Sequence, residues 1–449
     1  MTLEKKLEFP GAVEIERLQL VSTRGIVVDL DDYLVELNIY EDIFAPALNG
    51  TIILSDKLNL IEKLPIVGEE LLLIKLTTPT FVDSIEKTFR VVKITDKNVV
   101  LGQNAHLYTL HFVSQEMALD VNAPIFKSFE GSIDDVIVEI FEDYVAMSRN
   151  LEEDKKTLVE SAADTPLKIL TETKNKVKFV SPGWSAFRCI NWLASKSIPK
   201  EGKACNFLFW ESNKCFYFAS METIFTEVNE NKKYAGVYYH TPNNIRTGAE
   251  RDVVKEMFIT ESVETILTVD HLKNYQSGYL SNRLIELDLV NKKYTEIDYD
   301  HTEKFYDYYH MSGKTQKEAL PFFAKETMKN PTCSISYYPK HEKLFNDIEE
   351  NVNEVYKDIH GNRLSNLLEL DNFKIQITVP GRTDMEVGQM IYLYYPLISP
   401  TDQTDAKKEK LDPFLTGAYL ITAIRHQINA TRHKMIMELT KDSMTGDLK

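Results

Sequence analysis

Two histidines near the C-terminus, His426 and His433, have the residue type and spacing best suited to chemistry in this 449-residue chain. If the intervening turn is centred on Asn429 and Ala430, the two imidazoles face each other across a β-hairpin. A metal ion needs at least a third ligand, and the neighbouring sequence offers none. We therefore expect a solvated cross-strand pair of histidines.

Adjacent acidic residues raise the question of glycan cleavage. Such pairs occur at Asp31 and Asp32, at Glu69 and Glu70, and at Asp134 and Asp135. Glycoside hydrolysis needs two carboxylates held a set distance apart across a cleft, and adjacency in sequence does not establish that distance. Glycan hydrolysis therefore remains a minor alternative.

Other catalytic patterns are incomplete. The stretch around Ser185 lacks the second glycine of a nucleophile elbow, so Ser185 is expected to cap a helix. His106 and His111 are five positions apart on a predicted strand, which places them on opposite faces. No phosphate-binding loop or dinucleotide fingerprint occurs. The sequence thus predicts no catalytic, cofactor-binding or metal-binding residues, and no enzyme.

An aromatic cluster is the remaining candidate binding feature. Its members are Tyr294, Tyr299, Phe305, Tyr306, Tyr308 and Tyr309. Aromatic rings can stack on bases, but the neighbouring residues here are mostly acidic. Packing or a protein interface is therefore the expected role of this cluster.

The charge balance argues against nucleic-acid binding. The chain has 68 acidic and 52 basic residues, a net charge of −16, so no basic stripe is available to neutralise phosphates. The excess favours solubility, or a surface that nucleic acid passes without adhering. No apolar run reaches the roughly 18 residues of a membrane span, so stable membrane insertion is not expected. The four cysteines have no C-x-x-C spacing and are expected to be reduced.

A pattern of strands occurs twice, once near each end of the chain. The first copy comprises residues 67–69, 71–76, 89–94 and 108–112, and the second comprises residues 387–389, 391–395, 419–424 and 435–439. Apolar and polar residues alternate in both copies, as in half-buried antiparallel strands. Gly68 and Gly388 precede equivalent strands, where a tight turn favours glycine. A strand unit used twice in one chain is typical of a building block for a ring.

These patterns predict a mainly β protein with an α+β insert and two similar antiparallel β-barrels. The predicted domains are residues 1–116 and 366–449 for the barrels, and 117–225 for a mixed α+β outer domain. Residues 226–365 are predicted to form the remaining insert, with an aromatic-rich segment and a helix, and one part of it is a candidate to contribute strands to the second barrel.

Local signals place elements within the two inserts. A capping box at Ser132 and Asp135 starts a helix, and residues 207–210 and 215–218 form a hairpin. A further helix is predicted at 341–358. The charged stretch 400–413 is predicted to be an exposed loop.

Three stretches, residues 40–69, 207–220 and 388–439, carry a family resemblance. In order and spacing, the chain resembles the central baseplate hub proteins of contractile-tailed bacteriophages, which are relatives of the N-terminal half of type VI secretion spike (VgrG) proteins. The second stretch is similar to the aromatic hairpin of such hubs. The resemblance covers most of the chain and consists of strand and glycine patterns.

The resemblance implies a structural role. Hubs of this family are homotrimers in which three chains with two barrels each form a pseudo-sixfold ring. The ring joins the sixfold tail tube to the threefold central spike and forms part of the DNA-ejection channel. The resemblance also implies contacts with the spike, tail tube, tape-measure and wedge proteins. It further implies that the protein lies in the virion tail after assembly in the host cytoplasm. A hub of a non-viral contractile injection system is the main alternative.

Overall fold

We describe the fold from a computed structural model. It describes residues 7–57, 60, 66–81, 83–100, 105–146, 165–231, 233–241, 252–267, 270–312, 330–339, 352–397 and 411–443. The predicted loop at 400–413 and the first part of the helix predicted at 341–358 lie mostly outside these residues.

The described residues form a mainly β fold, as the sequence predicted. The strands are β1 Glu14–Val21, β2 Val27–Asp29, β3 Leu34–Asp42, β4 Asn49–Asp56, β5 Leu71–Thr77, β6 Ser84–Val100, β7 Ala105–Ser114, β8 Ser128–Ser132, β9 Leu167–Ile169, β10 Lys176–Val180, β11 Phe207–Glu211, β12 Phe216–Ser220, β13 Gly236–Tyr239, β14 Ser262–Leu267, β15 Ser281–Asp288, β16 Lys293–Asp300, β17 Ile335–Pro339, β18 Lys374–Pro380, β19 Met390–Tyr394, β20 Gly417–Ile428 and β21 His433–Thr440.

Helices occur mainly between the two terminal groups of strands. They are α1 Gln115–Asp120, α2 Ile133–Ile140, α3 Ala186–Ala194, α4 Met221–Asn231, α5 Val253–Glu256, α6 His271–Ser277, α7 His301–Lys304 and α8 Val352–Glu369. Among the described helices, none is long and apolar enough to cross a membrane.

Thirteen strands form one sheet that contains strands from both terminal regions of the described chain. Its main path is β14-β18-β21-β20-β3-β4-β7-β6-β5-β1-β2, and β19 pairs with β20 and with β13. Strand pairing between the described residues follows an open path. The closure of each end into a separate barrel therefore stays a prediction.

The predicted repeat is confirmed by the order of the strands. The first unit has the order β3-β4-β7-β6-β5-β1, and the second has β14-β18-β21-β20-β19-β13. Each strand of the first unit thus has a counterpart at the same place in the second. One difference is that β1 runs antiparallel to β5, whereas β13 runs parallel to β19.

The register of the two units also matches. In the first unit β6 pairs Val91 with Phe112, and in the second β20 pairs Ile421 with Leu439. An irregularity follows Val91 and Ile421 in both strands, with one extra residue left unpaired. The alignment of the two copies made from sequence is therefore reproduced by the hydrogen-bonded strands.

The mixed region after the first unit has its own core. The predicted helix starts are confirmed, because Ser132 Oγ accepts from the Asp135 amide and Ser185 Oγ from the Arg188 amide. Strands β11 and β12 form the predicted antiparallel hairpin. Phe207 and Phe209 on one face of this hairpin pack into the core between α2 and α3.

The helix predicted to end at residue 358 instead continues to Glu369 as α8, so the predicted end was wrong. Much of the buried surface of its second half is polar, with Asn362, Ser365, Asn366 and Glu369 nearly inaccessible to solvent. An apolar periodicity therefore does not reveal this half of the helix. Its neighbours β15, β16 and β17 form a separate small sheet.

The paired glycines offer a matched test of the repeat. Both have positive φ, +96° at Gly68 and +84° at Gly388, but only at Gly388 would a Cβ meet a ring, Trp210 Cζ2 at 2.8 Å. We expect Gly68→Ala to cost about 1–2 kcal/mol of unfolding free energy from backbone strain. Gly388→Ala is expected to cost about 1–3 kcal/mol more, because the methyl group overpacks the indole. Urea unfolding of both variants measures the difference, and equal costs would contradict this account.

Candidate functional site

The two units join at one seam, the pairing of β20 with β3. Six pairs of residues are in register there, from Ala423 opposite Asp42 to Ile428 opposite Leu37. Each unit also contributes a residue to the core of the other. Ile428 of the second unit packs in the core of the first unit, and Ile43, which follows β3, packs in the core of the second unit. The two strand units are thus held together by main-chain bonds and by exchanged apolar side chains.

Three fully buried side chains cross this seam. Glu41 Oε1 lies 3.1 Å from His426 Nε2, and His426 Nδ1 lies 3.0 Å from His433 Nε2. As a carboxylate, Glu41 can only accept, so His426 donates from Nε2 and its Nδ1 accepts from His433. The other Glu41 oxygen accepts from the Val387 amide at 3.3 Å, just before the turn at Gly388.

The expectation of a solvated histidine pair was wrong. His426 and His433 are buried, and the register pairs Ile428 with His433, so the turn is one residue further along than expected and the imidazoles meet diagonally. Their third partner is Glu41, which local sequence could not indicate because it lies at the other end of the chain. The pair belongs to a structural hydrogen-bond relay.

The end of this relay cannot readily accept a proton. Within the described part of the chain, Nδ1 of His433 has no hydrogen-bond partner, and a Cβ at Gly381 would overlap the His433 ring. Burial, and then the neighbouring His426, hold the pKa of His433 well below its usual value. This packing therefore requires that the His433 side chain be neutral.

The opposite face of the seam is polar and more accessible. Arg425 donates to Asn38 Oδ1 at 2.9 Å and to Glu36 Oε1 at 3.2 Å. Gln427 donates to the second oxygen of Glu36 at 3.0 Å. Burial raises the pKa of Glu36, but the bonds from Asn38, Gln427 and Arg425 outweigh it and lower the pKa overall.

The β11–β12 hairpin fastens the mixed region to both units. Glu211 forms a buried ion pair with Lys87 of β6 at 2.8 Å and accepts from the Leu48 amide at 2.9 Å. On the other side, Ser212 Oγ donates to Glu386 of the second unit at 2.7 Å. The face of the hairpin opposite Phe207 and Phe209, which includes Trp210, packs into the core of the second unit. Seam and hairpin together form a junction built for rigidity.

The acidic pairs have other roles in this structure. Asp31 and Asp32 are exposed in a short 3₁₀ turn, and Asp135 belongs to the cap of α2. Glu70 accepts from the amides of Val67 and Gly68 at 2.7 and 2.9 Å and so fixes the turn before β5. None of these three pairs forms a set of opposed carboxylates.

The remaining sequence candidates are separated from one another. His106 and His111 lie on opposite faces of β7, and His111 contacts Thr95 Oγ1 at 2.8 Å. In the aromatic cluster, Tyr299 and Phe305 are buried, whereas Tyr294, Tyr306 and Tyr309 are exposed. None of the four cysteines forms a disulfide bond.

One group that the sequence did not indicate brings together possible metal ligands: His310, Glu369 and Asp442. These residues come from distant parts of the chain, so no spacing motif connects them. Only the fold of α8 and the segment after β21 brings them into contact.

Comparisons with solved structures define the class of fold. The tail protein from Neisseria meningitidis MC58 aligns over 97% of this chain and 97% of its own, with a TM-score of 0.52 and 9% identity. The 43 kDa tail protein of prophage MuSo2 from Shewanella oneidensis aligns over 95% of this chain and 99% of its own, with a TM-score of 0.50 and 10% identity. The chain has the fold of these tail proteins.

A curated relative makes the likeness more specific. The probable baseplate hub protein gp334 of Vibrio phage KVP40 is 23% identical over 277 residues, which is 59% of this chain and 59% of that protein. No family profile matches the chain. The resemblance to phage baseplate hub proteins predicted from sequence is confirmed by this relative, of whose length the chain spans a little over half.

The relay predicts a pH dependence of stability. The unfolded chain protonates His433 near pH 6.5, whereas the folded protein does so only at much lower pH. Below about pH 6.5 the unfolded state therefore binds more protons, and this residue lowers stability as the pH falls. We expect a loss of about 1.4 kcal/mol per pH unit in wild type that His433→Gln lacks.

Urea unfolding of both proteins at pH 7.5 and pH 5.5 measures this effect. The difference between the two proteins at each pH removes the contribution of every other titrating group. The same pH dependence in both proteins would show that His433 is not held neutral.

Proposed function

We propose that this chain is the structural hub of a phage tail baseplate, and that three copies form a ring of six similar units. The observation that carries the proposal is the duplicated strand unit, whose two copies share strand order, register and the position of a bulge. The similarity to a baseplate hub protein supports the setting of this ring in a phage tail.

The seam inside the chain indicates how the ring closes. Within one chain, β20 of the second unit pairs with β3 of the first. The counterparts of these strands are β6 in the first unit and β14 in the second. A pairing of β14 from one chain with β6 of the next repeats the same seam between subunits, and three such contacts close a ring.

Both counterpart strands have an available edge. Beyond Val91, whose amide still donates to the Glu70 carbonyl, β6 pairs only with β7 in the described structure, and β14 pairs only with β18. Residues on these edges are exposed, with Val92 47% and Ile266 51% accessible. An exposed strand edge favours pairing with another chain.

The orientation of the backbone amides and carbonyls in β14 also supports its pairing with β6 of a neighbouring chain. Ile43 at the end of β3 donates its amide to Thr422 of β20, so alternate residues of β3, including Ile39, face β20. The carbonyl of Thr378 faces β14, because it accepts from the amide of Glu261. In β14, Ser262 and Glu264 therefore bond to β18, and Thr265, the counterpart of Ile39, faces outward.

In the proposed assembly the terminal units surround a central channel. The ring joins the sixfold tail tube to the threefold spike, with tape-measure and wedge proteins as further partners. The mixed region of residues 117–225 lies outside the ring and contacts both strand units of its own chain. The net charge of −16 suits a channel through which DNA moves without adhering.

Alternative functions have less support. A hub of a non-viral injection system uses the same architecture, but the curated relative is a phage protein. The acidic pairs considered for glycan cleavage do not support that reaction, because their side chains are exposed or stabilise turns and helix caps.

The mass of the purified chain tests the ring. We expect light scattering of the chain alone to give three times the 51.8 kDa of one chain, or, if the ring needs its partner, that mass plus the mass of the bound spike protein. Electron microscopy of the same sample is expected to show threefold symmetry with six similar units. A chain that remains a monomer under both conditions would contradict the ring.

A proline at Thr265 tests the position of the seam. Thr265→Pro removes the outward amide of β14 and is expected to reduce the mass to that of a monomer, while Thr265→Val, which keeps the amide and the branched side chain, retains the trimer. Circular dichroism and thermal melting check that both variants fold. A trimer that survives Thr265→Pro would place the subunit contact elsewhere and leave the ring itself intact.

A further inference from the structure

A buried cluster lies away from the seam, where the second insert meets the second unit. It contains His310, which follows α7, Glu369 at the end of α8, and Asp442, which follows β21. The side chains of Glu369, Asp442 and His310 are 2%, 3% and 7% accessible. The hub role proposed above makes no use of this cluster.

Its ligand atoms have the separations of a metal site. His310 Nδ1 lies 2.9 Å from Asp442 Oδ2 and 3.8 Å from Glu369 Oε2, and the three ligand atoms all lie within 4.8 Å of one another. A zinc ion with ligands at about 2.0–2.2 Å in tetrahedral geometry separates its ligand atoms by about 3.4 Å. The observed separations lie on either side of that value.

Surrounding groups orient these ligands. His310 Nε2 lies 2.9 Å from the carbonyl of Phe305, which fixes Nε2 as the donor and directs Nδ1 at the carboxylates. Tyr279 donates to Glu369 Oε1 at 3.1 Å, leaving Oε2 to face the cluster. Ser443 Oγ donates to Asp442 Oδ1 at 2.6 Å, and the Met311 amide donates to Oδ1 at 3.1 Å and more distantly to Oδ2 at 3.3 Å, so Oδ2 is the oxygen that faces His310. Such outer hydrogen bonds are typical of metal sites.

His301 is an independent sign of a missing partner. Its side chain is 2% accessible, and neither ring nitrogen makes a hydrogen bond to any described residue. Its Nε2 lies 3.4 Å from Glu369 Oε2, the same oxygen that faces His310. A buried imidazole without a hydrogen bond is costly, and a metal ion would satisfy Nε2.

The charge of the cluster also favours a cation. In the described part of the chain, neither Glu369 nor Asp442 forms a salt bridge with a lysine or an arginine. Two buried carboxylates need compensation, and a single protonated histidine leaves one negative charge over. A divalent ion held by two neutral imidazoles and two carboxylates makes the site neutral.

We propose that His310, Glu369 and Asp442 bind a divalent transition-metal ion, and that His301, whose Nε2 lies 3.4 Å from Glu369 Oε2, completes the site as the fourth ligand. Zn²⁺ best matches this set of nitrogen and oxygen ligands. All four ligand positions come from the protein, so the site is structural. The ion ties the segment after β16 to α8 and to the segment after β21. It thereby fixes the second insert on the second unit.

Metal analysis of the wild-type chain tests the site directly. Tag-free protein, grown with zinc and dialysed against metal-free buffer, is expected to retain about one zinc per chain by mass spectrometry. After chelation, added Zn²⁺ is expected to raise the melting temperature. A wild-type chain that retains no zinc and shows no change in melting with added Zn²⁺, Co²⁺ or Mn²⁺ would overturn the proposal.

Near-isosteric variants locate the ligands. Glu369→Gln and Asp442→Asn preserve side-chain shape, and each is expected to weaken zinc binding by more than about 100-fold, since loss of even an outer partner costs about 10–100-fold. His240→Asn, which alters a partly buried histidine bonded to Thr260, is the control and should bind zinc as wild type does. Undiminished binding in both carboxylate variants would place the metal elsewhere and overturn the assignment.

Discussion

The pairing of β20 with β3 is the constraint on which the rest of the structure depends. It turns two separately encoded strand units into one sheet, and it requires that Glu41, His426 and His433 be buried together. Buried polar groups cost free energy unless each finds a partner, so the seam tolerates only one register. A shift of one residue would separate Glu41 from His426 and turn the exchanged apolar residues Ile43 and Ile428 away from their cores.

The hairpin of β11 and β12 extends this rigidity to the mixed region. Its phenylalanines face the core of the mixed region and Trp210 faces the core of the second unit, so both faces of the hairpin are buried. At its end Glu211 pairs with Lys87 in the first unit, while Ser212 reaches Glu386 in the second. A movement of this insert relative to either unit would therefore break buried contacts. In the proposed hub, these contacts would suit a part that transmits force without changing shape.

The sequence predicted features that depend on neighbours along the chain. Alternating residues and the glycines at 68 and 388 were enough to align the two strand units in the register that the structure has. Features that depend on distant residues were missed. The polar buried face of α8 gives no apolar period, and the partner of His426 lies 385 residues away. His310, Glu369 and Asp442 likewise share no local motif, so only the tertiary fold reveals them.

In the proposed ring, the seams within chains and those between chains are related but not equal. The seam within a chain is closed by a covalent link, which gives its strands a high effective concentration, and it can bury the histidine relay. The edges that would form the seam between chains are less regular. Asp96 in β6 has a positive φ of 56° with a second bulge beside it, and the pairing of β14 is also irregular before Leu267. Bulges and charged residues on an edge discourage indiscriminate pairing, so such edges would keep single chains soluble until the correct neighbour arrives.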